Sequence, residues 1–566
     1  MKLSNPIAEW RRRNSVEHTS RWVGEHEGYD TRPLPRLTWV SVSMGVLVSM
    51  GGFIFGYDTG QVSGFLEMRD FLNRFGQRRD DGTPYFSNVR SGLIVALLSI
   101  GTLIGALVAA PIADWIGRRY SIIFWCGIFS VGMIVQIAST DEWYQVMLGR
   151  MVAGFGVGAL SLLVPMYQAE TAPRHIRGAL ISTYQLMITL GIFLAAVFNY
   201  ALERHQSGKK ASWQVTMGLG FVFAAILAGG ILFFSETPRF DYRNGKVDQA
   251  KQTMVKVYGV PENHYSIHQE LEEIKVKLEA ENKTKGNPIQ EWLGMWTAPK
   301  MAYRLILGMG LQMFQQLTGA NYFFYYGTTI FVGVGIENSF VTQMILNGIN
   351  FGVTFYGLYI VEHYGRRKSL IAGSAWMFIC FMIFASVGHF ALDRENPANT
   401  PKSSRAMIVF ACFFIFGFAT TWGPMIWTIC GELYPSRYRA KAMALSTASN
   451  WLWNFLLAFF TPFITGAIDF RYGYVFASCN VLGGLLIYFF VIEGQGRTLE
   501  EIDTMYLMGV APWKSAGWQV PSLEEMSGKV REQVLQANPE IAVQNEVAQD
   551  RGVSEDTAPE KKETDV

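Results

Sequence analysis

The sequence predicts an all-α membrane protein: twelve transmembrane helices in two pseudo-symmetric six-helix bundles, joined by a helical connector. Three observations predict it. Half of the 566 residues are hydrophobic and only 17% are charged, against roughly 25% charged in a soluble domain. Apolar runs near the ~20 residues needed to cross a bilayer recur at about 38–58, 91–112, 120–139, 145–168, 179–200, 213–234, 303–331, 341–361, 369–390, 405–430, 440–465 and 472–492. Short charged motifs in the first half return in the second at an offset of about 250–260 residues, the mark of an internal repeat.

Residues 1–37 are polar and include Arg11-Arg12-Arg13, unlike the short apolar core of a cleavable signal peptide. Span one is therefore expected to act as the insertion signal. The first six spans make a bundle over 38–234 and the last six a bundle over 303–492. Spans four, seven and ten hold enough Gly and Pro to be kinked or broken. Between the bundles, 235–302 is polar, and Val247–Tyr258 and His268–Lys283 have helical spacing with many Glu, Lys and Gln. The tail 493–566 opens on Arg497-Thr-Leu-Glu500-Glu501-Ile-Asp503 and becomes Glu-, Gln- and Lys-rich, a composition expected to be disordered.

The loops after spans two, four, eight and ten carry Arg118/Arg119, Arg174/Arg177, Arg366/Arg367/Lys368 and Arg437/Arg439/Lys441. Basic loops stay on the cytosolic side. The loops after spans three and seven hold Asp141/Glu142 and Glu337 without Lys or Arg, so both termini are expected inside. The repeat lies at these junctions. Asp114-Trp-Ile-Gly117-Arg118-Arg119 is echoed by Glu362-His-Tyr-Gly365-Arg366-Arg367, and Glu170-Thr-Ala-Pro173-Arg-His-Ile-Arg177 by Glu432-Leu-Tyr-Pro435-Ser-Arg-Tyr-Arg439. Glu236-Thr-Pro-Arg239 finds a looser echo in Glu493-Gly-Gln-Gly496.

Several function classes fall away. With 48 Lys+Arg against 46 Asp+Glu, net charge offers no argument for nucleic acid. Cys126, Cys380, Cys412, Cys430 and Cys479 lie in apolar runs without metal-ligand spacing and read as buried thiols. No nucleotide loop, nucleophile triad or metal cluster is apparent, so neither an enzyme nor an ATP-driven pump is expected, and no cofactor.

Span seven carries the chemistry: Gln312-Met-Phe-Gln315-Gln316-Leu-Thr-Gly319-Ala-Asn321-Tyr322-Phe-Phe-Tyr325-Tyr326. Unpaired amides in hydrocarbon cost on the order of 2–7 kcal/mol each, so they must face a wet cavity or other helices. On a straight helix Gln315 and Asn321 would stand roughly 120° apart. A loosening at Gly319 would let the amides converge on a ligand with many hydroxyls. Interhelical hydrogen bonding is the plainer alternative for any one of them.

Taken together and in order, Asp114…Gly-Arg-Arg, Pro165…Glu170…Arg177-Gly178, Glu236-Thr-Pro-Arg239, Gln315-Gln316…Gly319…Asn321, Glu362…Gly-Arg-Arg and Gly423-Pro424…Trp427…Glu432 resemble the sugar porter family of the major facilitator superfamily, most closely its fungal monosaccharide (hexose) carriers. The resemblance covers about 38–503. It implies the major facilitator fold and a sugar site of Gln315, Gln316, Asn321 and Tyr325, Asn350, Trp427 and Asn454, closed by Gln185 and Phe55. It implies that Asp114, Arg118, Arg119, Glu170, Arg177, Glu236, Arg239, Glu362, Arg366, Arg367, Glu432 and Arg439 form gating ion pairs within and between halves. Asp58 in span one and Arg150 in span four match the proton-coupling pair of symporters. An intramembrane charge costs about 2.5–3.5 kcal/mol even on the lenient insertion scale, which also favours a functional role.

Two stretches depart from the family pattern: Trp213-Gln214-Val-Thr216 at span six, which bears on an external contact, and the frame around Glu493, which bears on a gate at span twelve. The expectation is plasma-membrane transport of a monosaccharide, first of all D-glucose, with the proton as coupling ion. Facilitated diffusion and a non-transporting glucose sensor are the alternatives, and the sequence names no protein partner.

Overall fold

The structure, a computed structural model, describes residues 29–518 apart from 31, 36–37, 285–287, 334–337, 394–398, 436–437, 496 and 498, together with residue 528. Glu337 and Arg437 thus lie outside the described residues, as do most of both tails. All twelve anticipated spans are helices. They are Trp39–Val48 with Met50–Phe65, Asn88–Ile116, Arg118–Ile137, Trp143–Thr171, Arg174–Gln206 and Ala211–Gly230 in the first half. The second half has Met301–Leu317 with Ala320–Gly333, Ser339–His363, Arg366–Ser386, Pro401–Thr420 with Trp422–Leu433, Arg439–Ile468 and Tyr472–Phe490. Among the described residues nine stretches are long and apolar enough to cross a membrane; spans seven and eight, which carry the amide side chains, fall outside that set. The chain is a multi-pass membrane protein.

Three spans are broken. Span seven breaks at Thr318-Gly319, where Gly319 takes φ +94°, a left-handed conformation that costs glycine little. Span ten breaks at Thr421 and span one at Ser49. Span four is not broken: it runs continuously over Trp143–Thr171 with Pro165 inside.

Close helix packing in the first half comes from glycine rows. Gly52, Gly56, Gly60 and Gly64 recur every fourth residue on span one, and a Cβ at Gly52 or Gly60 would meet span-five backbone at 2.6 or 2.8 Å. Without a hydrophobic force between helices in lipid, small residues that let backbones touch supply the dispersion contact. Asp58 sits on this tightly held helix.

Between the halves lie four helices, Pro238–Arg243, Val247–Tyr258, Tyr265–Thr284 and Pro288–Thr297. The N-terminal segment is laid against them: Asp30 bridges His264, whose ring bonds the Arg32 carbonyl at 2.8 Å. After span twelve, the helix Leu499–Leu507 straps the second half. Arg304, at the start of span seven, is buried with Asp503 at 2.5 Å and lies 4.7 Å over the Tyr506 ring. Breaking one partner of a buried pair leaves a bare charge, at a cost of about 3–5 kcal/mol. Asp503→Ala should therefore lower the thermal unfolding midpoint sharply, and Arg304→Met/Asp503→Leu much less. Equal losses in both would remove the bare charge as the cause.

Candidate functional site

The arginine loops mark one end of the bundles, here the basic end; the opposite is the far end. At the basic end the repeat becomes geometry. Gly117 and Gly365 precede spans three and nine with φ +94° and +85°, leaving the first N–H groups of each helix free to bind an anion. Glu236 accepts from the Arg118 and Arg119 N–H at 3.0 and 3.1 Å; Glu493 accepts from those of Arg366 and Arg367 at 2.9 and 3.0 Å. Arg118 pairs with Glu170 at 3.1 Å, Arg366 with Glu432 at 2.8 Å. Arg119 donates to the Leu232 carbonyl and Arg367 to the Tyr488 carbonyl, both at 2.8 Å. Arg177 and Arg439 each cap the carbonyl of the residue five back, Ala172 and Tyr434. Burial pushes the Glu236 carboxyl above the usual carboxylate range, against the N–H bonds that lower it.

These contacts bear on two expectations. The gating pairs were expected within and between halves; the contacts of Arg118, Arg366, Glu170, Glu432 and Glu236 described above each stay within one half. Asp114 pairs with Arg118 and with Arg243 of the connector, and Arg177 with Glu270 of the connector at 2.8 Å. Arg239 lies in the first turn of Pro238–Arg243, while the Glu362 side chain lies outside the described residues. The altered frame around Glu493 does not cost it its anion role, because N–H groups select a carboxylate, not its neighbours. Likewise Trp213 keeps a contact at the far end, its indole donating to Asp70 at 2.9 Å. Cys126, Cys380 and Cys430 are buried as expected, whereas Cys412 and Cys479 are only half-buried.

The two halves meet at the far end. The Ser63 and Thr328 hydroxyls lie 2.8 Å apart, and Thr329 donates to Glu67 at 2.6 Å, joining span one to span seven. A Cβ on Gly92 of span two would meet the Phe459 carbonyl of span eleven at 2.8 Å, and Asn347 of span eight donates to the Ile192 carbonyl of span five at 3.4 Å.

Between the ends, the break at Gly319 brings the span-seven amides together. The Gln316 oxygen accepts from Asn321 at 2.5 Å and Asn454 at 3.1 Å, and its nitrogen donates to Asn450 at 3.0 Å. Asn454 also accepts from Tyr325 at 3.0 Å and, across the halves, from Ser99 at 2.6 Å. Gln315 ties the network to span ten: its nitrogen donates to the Trp422 and Gly423 carbonyls at 3.1 and 3.0 Å, and its oxygen accepts from Asn450 at 2.8 Å. Gln185, Asn350 and Trp427 make no side-chain hydrogen bond to the described protein. Phe55 packs edge-on to Trp451 of the other half, centroids 5.5 Å apart. Asn450 and Ser99 were missed by sequence reasoning. Asn450 precedes Asn454 by one helical turn, which was the available signal.

Asp58 and Arg150 are both buried, 3.8 Å apart. Gln61 donates to one carboxylate oxygen at 2.7 Å, and the other has no partner. All three guanidinium nitrogens lack hydrogen bonds, and the group lies 5.5 Å over the Phe65 ring.

Two helical halves closing at one end over a central polar network define a two-bundle membrane transporter. The sequence profile described as "Sugar (and other) transporter" matches residues 44–506, and the chain belongs to that family, whose members move solutes and are not enzymes. Hexose transporter 2 of Kluyveromyces lactis is 47% identical over 500 residues, 87% of each chain. The low-affinity glucose transporter HXT4 of Saccharomyces cerevisiae is 45% identical over 492 residues, 86% of this chain and 84% of that one. The proton:xylose symporter XylE bound to 6-bromo-6-deoxy-D-glucose superposes with TM-score 0.68 at 25% identity, covering 82% and 99% of the chains. XylE from E. coli in an inward open conformation gives 0.67 at 24% identity, with coverage of 82% and 99%.

Proposed function

We propose that this sugar transporter carries hexoses, D-glucose first, across the plasma membrane by alternating access, with the basic end and both termini cytosolic, and that proton movement through Asp58 drives accumulation. The observation that carries the coupling is the poorly satisfied buried pair. A static structural bridge would use the guanidinium's donors, because burying a charge is tolerated only when it is paired and hydrogen-bonded. Arg150 uses none, and one Asp58 oxygen is unpartnered. Such a carboxylate can take a proton and release the Arg as the halves rock.

The sugar reading rests on the amide network. Sugar hydroxyls donate and accept, so they can replace the contacts among Gln316, Asn321, Asn450 and Asn454 one for one. Ser99 to Asn454 is the contact through which such an exchange reaches the other half. The unengaged groups of Gln185, Asn350 and Trp427 offer further partners. Gln316→Ala should raise the KM for glucose about tenfold or more, the cost of losing hydrogen bonds to a buried polar ligand, with normal membrane insertion. An unchanged KM would take Gln316 out of the sugar site.

The deciding experiment is labelled glucose uptake by the purified chain in liposomes, with and without a proton gradient. Accumulation above equilibrium is expected under the gradient. Equilibration alone would replace the symport reading with facilitated diffusion, and saturable binding without uptake would mean a sensor.

A further inference from the structure

A cavity of about 80 Å³ lies at the basic end between spans one, four and six and the connector helix Val247–Tyr258. It has room for several waters, each needing about 10–15 Å³ on this measure. Its walls bring together four donors: the hydroxyls of Thr171, Ser235 and Thr253 and the ammonium of Lys256. Thr171 is 2% and Thr253 4% exposed, Ser235 is half-buried, and Lys256 is exposed. The Thr171 hydroxyl has no hydrogen-bond partner, and the other three groups make no side-chain bond or ion pair with the described protein. Buried polar groups are almost always paired, so the two buried hydroxyls of Thr171 and Thr253, idle beside Ser235 and the cation of Lys256, point to an acceptor that comes from outside the chain.

That acceptor is an anion. The two carboxylates that adjoin lining residues are already engaged, Glu236 by the Arg118 and Arg119 N–H groups and Glu170 by Arg118 and Thr237, and Glu262 is held by Lys251. Lys256 makes no ion pair with the described residues. Phe233 on the rim is 90% exposed, and Trp39, next to the lining residue Val40, is 83% exposed, places that large rings occupy at the membrane boundary. We propose that this cavity binds the phosphate group of an anionic phospholipid, which joins the connector to the first half.

The test uses the purified full chain in detergent and follows its thermal unfolding midpoint against dioctanoyl phosphatidic acid, dioctanoylglycerol and inorganic phosphate. Phosphatidic acid should raise the midpoint at concentrations where the other two do not. Lys256→Gln and Thr253→Val should each need about tenfold more lipid for the same shift, as the loss of a charge-assisted or buried hydrogen bond implies. Lys251→Gln, which removes a charge from the same helix but away from the cavity, should match wild type. Both cavity variants should still transport glucose, which establishes that they fold. An equal shift from inorganic phosphate would keep the anion site and overturn the lipid source. An equal response to dioctanoylglycerol, undiminished shifts in both cavity variants, or no shift at all would overturn the site.

Discussion

With Ser63→Cys and Thr328→Cys combined, oxidation should reduce sugar uptake to background, and a reductant should restore it. The two hydroxyls are 2.8 Å apart in the structure and belong to different halves. Side chains that close lie within the reach of a disulfide, whose Cβ atoms are about 3.5–4.5 Å apart. If the halves rock about a central site, the far end must open once per cycle. A covalent bond there holds it shut, whatever the affinity of the sugar site. Each single variant should transport normally under oxidant, and three of the five native cysteines are buried, so the background is low. Full uptake by the oxidised, demonstrably cross-linked double variant would mean that this contact does not open during transport.

The far-end latch was not legible in the sequence, whereas the basic end largely was. Gly-Arg-Arg after spans two and eight announces itself because a left-handed residue and a free helix N-terminus need particular residue types at fixed spacing. The same physics explains why Glu493 was underrated. Its flanking residues depart from the pattern, yet the two N–H groups it binds ask only for a carboxylate in reach. Ser63, Thr328 and Thr329 carry no such signature, since a hydroxyl pair between distant spans depends on how the halves dock.

Gln315 and Gln316 show the same limit within one motif. They are adjacent, both amides, and both were expected to face the ligand. Only tertiary packing decides between them: it sets the Trp422 and Gly423 carbonyls of span ten against the Gln315 nitrogen, while the Gln315 oxygen stays on Asn450. Gln316, one residue on, points to the amides of span eleven and to Asn321 across the Gly319 break. Local spacing located the cluster; tertiary contact divided its labour.

Asp58→Asn should abolish accumulation of glucose against its gradient while leaving exchange of labelled for unlabelled sugar close to wild type. The amide has nearly the shape of the carboxyl and can still meet the Gln61 side chain, so the span-one packing on its glycine row is kept. What it cannot do is gain or lose charge. Arg150 then faces a permanently neutral partner, as it would with a permanently protonated acid, and the cycle loses the step at which ionisation recaptures the guanidinium. Uptake driven by a proton gradient should fall to the equilibrium level, and its dependence on external pH should flatten. Arg150→Lys offers a check from the other side: it preserves the charge but not the fork of donors, so accumulation should be impaired rather than lost. If Asp58→Asn accumulates sugar like wild type, the proton does not travel through this pair. If it loses exchange as well, the pair is needed to hold the first bundle together, and the coupling role falls with it.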